Sequence, residues 1–556
     1  MMAGDSGQQS YQAYLLRLWR EQRGGQPEWR ASLEDPHTGE RLGFAGLAQL
    51  FAFIQRRASS QPSARPMAME SPTTQRSQLM PDLKCTMLTG SENVLTEAAL
   101  TELRTSLRGP LLTPTDPGYD EARVLWNGMH DKRPALIARC TGAADVIAAV
   151  NFARTHQLLT AVRGGGHHMA GNGSCDGGIM IDLSLMRAVH VDPKSRTARV
   201  QGGALLGDLD RETQVFGLAT PGGVVSTTGV GGLTLGGGLS HLRRKYGLAI
   251  DNLLSADVVT AAGQIVTVSP DENSELFWGI RGGGGNFGVV TSFEFRLHPV
   301  GPLVTLCAVW YPVENAKAIL GQWRDFMAKA PEEFSGVADF WTVPAAPGIP
   351  EEYQGKRALV LAGVHCGPLE EGQKCIQPLR ELGTPMLDQS GPAPWTVVQA
   401  AFDPFFPKGQ RRYYFKSRYL KDLEDSTIDA LLDRAIHPPV PSILIALWHY
   451  GGAMKRVGNT ETAFMGREAP LLLSVDCIWD DPAKSDEVIA YARAFLAEME
   501  PFSQGGMYVN FSGFGEEGDK QVQETYGANY KRLLALKNQY DPGNLFRLNQ
   551  NIKPTA

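Results

Sequence analysis

Three clusters of glycine hold the residues of this chain whose type and spacing most directly imply chemistry. Arg163-Gly164-Gly165-Gly166-His167-His168-Met169-Ala170-Gly171-Asn172-Gly173 follows a run, Leu159–Arg163, that reads as a strand. The second cluster is Thr220-Pro221-Gly222-Gly223 with Gly229-Val230-Gly231-Gly232-Leu233-Thr234-Leu235-Gly236-Gly237-Gly238. The third, Arg281-Gly282-Gly283-Gly284-Gly285-Asn286-Phe287-Gly288, precedes a strand-like run from Val289. Consecutive glycines let a backbone turn sharply and approach a ligand with no Cβ between them. Their exposed N–H groups suit a diphosphate, and Arg163 adds a positive charge beside the first cluster. A single such loop is most often a plain turn. Three of them, each beside a strand, imply backbone segments converging on one extended ligand, a dinucleotide. None fits strand–GxGxxG–helix with a following acidic residue, nor a loop ending in Gly-Lys-Ser/Thr. His167, inside the first cluster, offers a neutral imidazole near pH 7, which is a competent nucleophile.

A second set of reactive side chains lies far along the chain. On the strand-like run from Arg412, Tyr414 and Lys416 share a face with Arg412. His449 ends another such run, and a desolvated Lys416 would act as a base. These residues need a frame to position them. From about residue 85, short β-rich runs alternate with helical stretches such as Ala143–Thr155 and Leu205–Val215, an α+β pattern. Strand-like runs at Val304–Tyr311, Ala358–His365, Arg412–Phe415, Ser442–His449 and Leu471–Trp479 alternate with helices at Ala316–Ala330 and Asp486–Met499. They predict an antiparallel sheet covered by helices on one side. Tyr526–Tyr540 reads as a helix stopped by Asp541-Pro542-Gly543.

The expected division is a small helical N-terminal unit (1–57), a flexible Ser/Pro/Gln/Thr-rich linker (58–84), a nucleotide-binding portion (85–302), a substrate portion (303–505) and a C-terminal segment (506–556). The N-terminal unit is read as two amphipathic helices from Tyr14, Leu15, Leu18 and Trp19, and from Phe44, Leu47, Leu50, Phe51 and Ile54.

Composition sets outer bounds. The 556 residues are 43% hydrophobic and 20% charged with a formal net charge of -6, which suits a soluble globular chain and argues against nucleic-acid binding. Seven cysteines, with no Cys-x-x-Cys spacing, give no support to a disulfide framework or a zinc site, so no metal is expected. The N-terminus has no secretory pattern, and no apolar run approaches the roughly 18 residues of a membrane span. A cytoplasmic protein without membrane partners is the expectation.

With the glycine clusters and the tail together, the chain resembles the berberine-bridge-enzyme-like oxidases of the vanillyl-alcohol oxidase/p-cresol methylhydroxylase superfamily. The tail residues are Tyr508-Val509-Asn510-Phe511, Tyr526-Gly527-Ala528-Asn529-Tyr530, Lys537, Tyr540-Asp541-Pro542-Gly543-Asn544-Leu545-Phe546 and Asn549-Gln550-Asn551-Ile552. The likeness covers roughly residues 90–556. It implies a bilobed FAD-binding domain of the p-cresol methylhydroxylase type, and FAD held by Arg163, Gly164, Gly165, Gly166, His168, Gly171, Thr228, Gly229, Gly231, Gly232, Gly236, Gly237, Val289, Asn510, Asn549 and Asn551. It also implies a bond from His167 to the flavin 8α carbon. Val225 stands where many relatives carry a second, cysteinyl link, so FAD is expected to be bonded to His167 only.

The implied reaction is hydride removal from a C–OH or C–N bond of a small organic substrate, with molecular oxygen as acceptor and hydrogen peroxide as product. Thr228, where relatives that use oxygen often have valine, leaves a dehydrogenase with another acceptor as an alternative, and a flavin-binding interaction scaffold is a third. Phe511 replaces the tyrosine that acts as base in several relatives. Tyr508, Tyr414, Lys416 and His449 are therefore the candidates for catalysis.

Overall fold

A computed structural model of the chain describes residues 15–23, 26–34, 41–44, 49–50, 53, 83–346, 348–513 and 518–555. They fall in two compact units, Met1–Gln78 and Leu79–Ala556.

The N-terminal unit departs from the helical expectation. Leu15–Arg23, Gln26–Glu34 and Arg41–Phe44 form a three-stranded antiparallel sheet, and only Gln49, Leu50 and Phe53 among its described residues are helical. The register sets Leu16 opposite Leu33 and Leu18 opposite Ala31, then Leu33 opposite Leu42 and Ala31 opposite Phe44. A two-residue alternation carried across three strands thus overrides the helical spacing. Ala31, Leu33 and Leu50 are buried, with Phe44 and Phe53 against them. Of the expected linker, residues 58–82 lie outside the described residues. Leu83 and Lys84 belong instead to a strand, Leu83–Thr86, paired with Glu92–Leu95.

The larger unit is α+β and built on three main sheets. A four-stranded sheet runs Leu111–Leu112, Leu136–Arg139, Ile179–Asp182, Thr160–Arg163, its last three strands parallel. The parallel pairing follows from the crossover helix Ala143–Thr155, which packs Val146, Ala149, Val150 and Ala153 into the core beneath the sheet. A five-stranded antiparallel sheet runs Val189–Asp192, Thr197–Gln201, Gly288–Arg296, Leu253–Thr260, Ile265–Val268. The C-terminal helix Tyr530–Tyr540 joins the core of this sheet through Leu533 and Leu536. It is shorter than the sequence suggested, because Gly527 at φ 47° ends a preceding helix, Asp519–Tyr526.

The third sheet has eight antiparallel strands. Its centre is Phe334–Thr342, a strand absent from the sequence reading, flanked by Arg357–His365 and by Leu444–His449, Leu471–Trp479 and Arg412–Leu420 in that order. Helices Ala316–Met327, Leu369–Arg380, Asp425–Ile436 and Ser485–Glu498 cover one face in a continuous apolar core around Trp323, Leu361, Leu447 and Phe495. Among the described residues no helix is long and apolar enough to cross a membrane.

Candidate functional site

The three glycine loops converge on one cavity, and they do so because side chains are missing where backbones meet. A Cβ on Gly165 would lie 2.3 Å from the Gly229 nitrogen, and one on Gly229 2.3 Å from the Gly165 nitrogen. Only glycine at both positions lets the first and second loops touch. Gly232 and Gly285 instead face open space. The cavity is lined by Gly164, Gly165, Gly166, His167, His168, Thr228, Gly229, Gly231, Gly232, Gly236, Val289, Asn510 and Asn549, all predicted cofactor contacts. The tail is locked beside the third loop. Asn286 donates to the Gly283 and Gln550 carbonyls and accepts from the Ile552 N–H, and the buried Lys537 ammonium donates to Asn286 O, Asp541 Oδ2 and Phe546 O at 2.9, 2.7 and 2.9 Å. Asn549 brings into this wall a buried Oδ1 without a protein partner. A backbone cradle and an open acceptor along one elongated wall fit the diphosphate and ring edge of FAD.

Three predicted contacts have structural work in the fold, and a fourth, Asn551, lies outside the lining. Arg163 reaches the cavity wall, but its guanidinium is engaged by buried Asp182 at 3.0 and 2.7 Å and by the Ala122 carbonyl, so its donors are committed within the fold. Gly171, Gly237 and Asn551 are not part of the lining. Gly171 and Gly237 take φ of 67° and 125°, and a Cβ there would strike the His130 and Phe464 rings, so both shape the loops. Asn551 lies past the lining residues Asn549 and Gln550, its Oδ1 buried and unpartnered.

His167 stands deep in the molecule with part of its ring open to the cavity. It stacks on Trp126 at 4.7 Å between centroids, its Nε2 lies 3.1 Å from Thr227 Oγ1, and its Nδ1 lies 3.4 Å from Thr228 Oγ1. Burial, aided by the positive charge of Lys408, depresses its pKa to about 3, so the imidazole keeps a free lone pair at neutral pH. His168 is depressed to about 4, chiefly by burial, and its Nδ1 accepts from the Ala170 N–H. Val225 also lines the cavity and offers no sulfur.

The predicted catalytic candidates divide sharply. Tyr508 lines the cavity, but its hydroxyl oxygen accepts from the Gly238 and Leu239 N–H groups at 3.1 Å each and from Asn510 Nδ2 at 2.9 Å. Burial pushes its pKa up despite these donors. Tyr414, Lys416 and His449 do not line the cavity. In the register, Phe415 stands opposite Asp476, and both line it; Tyr414 and Lys416 project to the helix-covered face, where the Tyr414 hydroxyl accepts from Arg493 Nε at 3.2 Å. The parity was read correctly and the face was not, because this strand is largely buried on both sides. His449 follows the same rule: its neighbour Trp448 faces the cavity while His449 meets Trp323 edge-on beneath the sheet.

Three titratable residues that the sequence reading passed over occupy the far wall instead. Asp339 and Asp476, from the Phe334–Thr342 and Leu471–Trp479 strands, line the cavity with 5% and 4% exposure, and each keeps an Oδ1 without a partner. His241 lines it too, with both ring nitrogens unpartnered. Burial raises Asp339 to about 7 against the pull of Arg243; it also raises Asp476 well above the usual carboxyl range, assisted by the charge of Asp339, and depresses His241 to about 3. A signal was available: one charged residue in the run Leu471-Leu472-Leu473-Ser474-Val475-Asp476-Cys477-Ile478-Trp479 is expensive to bury without a purpose.

Comparison with known proteins adds to this geometry. A family profile described as an FAD binding domain matches residues 134–269, and one described as berberine and berberine like matches residues 507–553. An FAD-linked oxidoreductase from Dictyostelium discoideum is 34% identical, over 77% of this chain and 91% of its own. The (R)-6-hydroxynicotine oxidase of Paenarthrobacter nicotinovorans is 33% identical, over 81% of this chain and 97% of its own. A glucooligosaccharide oxidase structure from Acremonium strictum, described with a 6-S-cysteinyl, 8α-N1-histidyl FAD, superposes with a TM-score of 0.73 at 25% identity, covering 83% of this chain and all of that one.

Proposed function

Because the chain belongs to the berberine-bridge-enzyme-like FAD-linked oxidoreductases, we propose that it is an oxidase with FAD bonded once, to His167, that takes a hydride from a C–OH or C–N bond of a small organic substrate and passes the electrons to molecular oxygen, giving hydrogen peroxide. The observation that carries this reading is the continuity of one cavity. It runs from the glycine cradle and His167, past Tyr508 and Phe511, to the sheet wall bearing Asp339 and Asp476. When bound, the flavin supplies the two-electron acceptor.

The chain's own residues then have distinct tasks. His167, neutral and held by Trp126 and the two threonines, is the single tether. Tyr508 is a positioning residue, since its oxygen orders the Gly238–Leu239 turn and Asn510. The substrate proton goes to the acidic wall, where Asp339 titrates at about 7 and so is suited to exchange a proton near neutral pH. Phe402, Phe406, Phe415 and Trp448 keep water from the reacting carbon. In this reading residues 85–302 with the returning 506–556 segment hold the flavin, and residues 303–505 hold the substrate.

Two measurements test the proposal. Acid-precipitated protein stays yellow if the tether exists, and a colourless pellet rejects it. Photoreduced protein mixed with air regains its oxidised spectrum during mixing if oxygen is the acceptor. Recovery over minutes favours the dehydrogenase that Thr228, at the cavity wall beside His167, also suits.

A further inference from the structure

We infer that the acidic wall is a cation-recognition subsite, and that the substrate is an organic amine carried on an apolar, ring-sized skeleton and bound with its nitrogen positively charged between Asp339 and Asp476. This deepens the proposed oxidase reading and rests on it. The sheet register explains how the two carboxyls come to share the subsite. Asp339 stands opposite Ala446, Ala446 opposite Ser474, and Asp476 two residues farther along the same strand opposite Leu444. Period-two alternation therefore puts both carboxyls on the cavity face, one on each side of the Leu444–His449 strand.

Each carboxyl brings into the cavity an unpartnered, almost fully buried oxygen, and among the described residues the one hydrogen bond to either carboxyl is that of Ser474 Oγ, at 3.3 Å from the other oxygen of Asp476. Two carboxyls facing one apolar chamber are costly to ionise unless a cation joins them. Among the described residues no cation is ion-paired with either carboxyl. His241 is held neutral. Arg243, whose charge acts on Asp339, donates to the His449, Ser240 and Gly336 carbonyls and packs over Trp448 at 5.3 Å, with no ion pair to either carboxyl. Among the described residues no group of three or more His, Cys, Asp or Glu side chains is placed to hold a metal ion, so a polydentate metal site does not account for the pair.

The rest of the chamber restricts the ligand further. Val337, Leu239, Leu444, Phe415, Trp448 and Phe402 offer no hydrogen-bonding group toward a polyhydroxylated substrate, apart from the Trp448 N–H, which is donated to Ser474. Beyond the hydroxyls that Asp339, Asp476 and His241 reach, a sugar would leave its hydroxyls unpaired against these walls. A ring or alkyl framework fills the chamber, and the aromatic faces add their own attraction for a cation.

The test uses the flavin-loaded full chain and two probes of equal shape that are not substrates, benzamidine as the cation and benzamide as its neutral counterpart. Binding is read from the perturbation of the flavin visible spectrum. Benzamidine is expected to bind at least about tenfold more tightly than benzamide, the least a desolvated charge pair contributes. Asp339→Asn together with Asp476→Asn is expected to abolish that preference while benzamide binding is kept. Equal binding of the two probes to the native chain overturns the inference, as does a preference that survives in the double variant. If the double variant does not fold, the native comparison and each single variant decide by the same criterion. Air reoxidation of the photoreduced protein separates the two readings. Rapid reoxidation without cation preference rejects the amine subsite alone, whereas cation preference with reoxidation over minutes rejects the oxidase and keeps the subsite.

Discussion

Burial acts on His167 and Asp339 in opposite chemical senses. It removes a proton from the imidazole, leaving a nucleophile, and it retains one on the carboxyl, leaving an acid whose midpoint sits near neutrality. The first effect predicts that His167→Ala still binds FAD in the glycine cradle but releases all of it into the supernatant on acid precipitation; retained colour would place the tether elsewhere. The second effect has a thermodynamic sign. Asp339 titrates near 3.8 when unfolded and at about 7 when folded. Between these values the folded chain holds a proton that the unfolded chain has lost, so stability falls as pH rises through the window and the full penalty applies above it. Asp339→Asn should therefore stabilise the flavin-loaded protein at pH 8 by up to roughly 4 kcal/mol, with the gain shrinking steadily to nothing near pH 4. Denaturant midpoints of the two proteins across that range measure it, and a gain that grows on acidification would contradict the assignment.

At the scale of elements, legibility depended on whether function is written in consecutive residues or assembled across strands. The glycine loops, His167 and the Lys537–Asn551 tail were readable because close backbone approach and a tethering nucleophile need adjacent residues of fixed type. Asp339, Asp476 and His241 come from separate segments and meet only through sheet register and loop packing, which no local pattern states. The Arg412–Leu420 strand shows a second kind of limit. Its alternation was evident, but with apolar burial on both faces no polarity difference told which set faces the ligand. This argues a paired prediction. Tyr414→Phe should lower stability by about 1 kcal/mol through the lost Arg493 hydrogen bond and leave turnover unchanged. Phe415→Leu should raise KM for the physiological substrate with little change in stability. Steady-state kinetics on both variants decides, since the reverse pattern would mean that the other face of the strand meets the substrate. The N-terminal strands were misread for a related reason. Leu15, Leu18 and Trp19 fit a helical stripe while Leu16 and Leu18 fit the alternation of a strand, and only pairing with Gln26–Glu34 resolves the overlap.

On the scale of the whole molecule, the chain closes its cofactor wall with its own C-terminus. Lys537 and Asp541 form a buried ion pair at 2.7 Å, and Asp541 also accepts from the Leu545 and Phe546 N–H groups, fixing the segment that carries Asn549 and Gln550 to the cavity. Lys537→Met leaves that carboxylate buried without its cation, a loss of roughly 3–5 kcal/mol. The variant should melt lower and, at temperatures where it stays folded, take up less FAD than the native chain; normal flavin content in a destabilised protein would show that the tail does not complete the wall. The other terminus leads to the opposite expectation. Every described residue lining the cavity falls between Trp126 and Gln550, within the Leu79–Ala556 unit. The N-terminal sheet has its own small core of Ala31, Leu33 and Leu50. Among the described residues, those buried in the sheet and those lining the cavity are separate sets, so a chain beginning at Leu79 should fold, bond its flavin to His167 and keep the benzamidine preference of the full protein. Flavin content, acid-stable colour and the probe titration can be compared side by side in the two chains. A folded truncation that has lost any of the three would assign residues 1–78 a part in building the site, and one that keeps all three leaves them a task outside the oxidation chemistry.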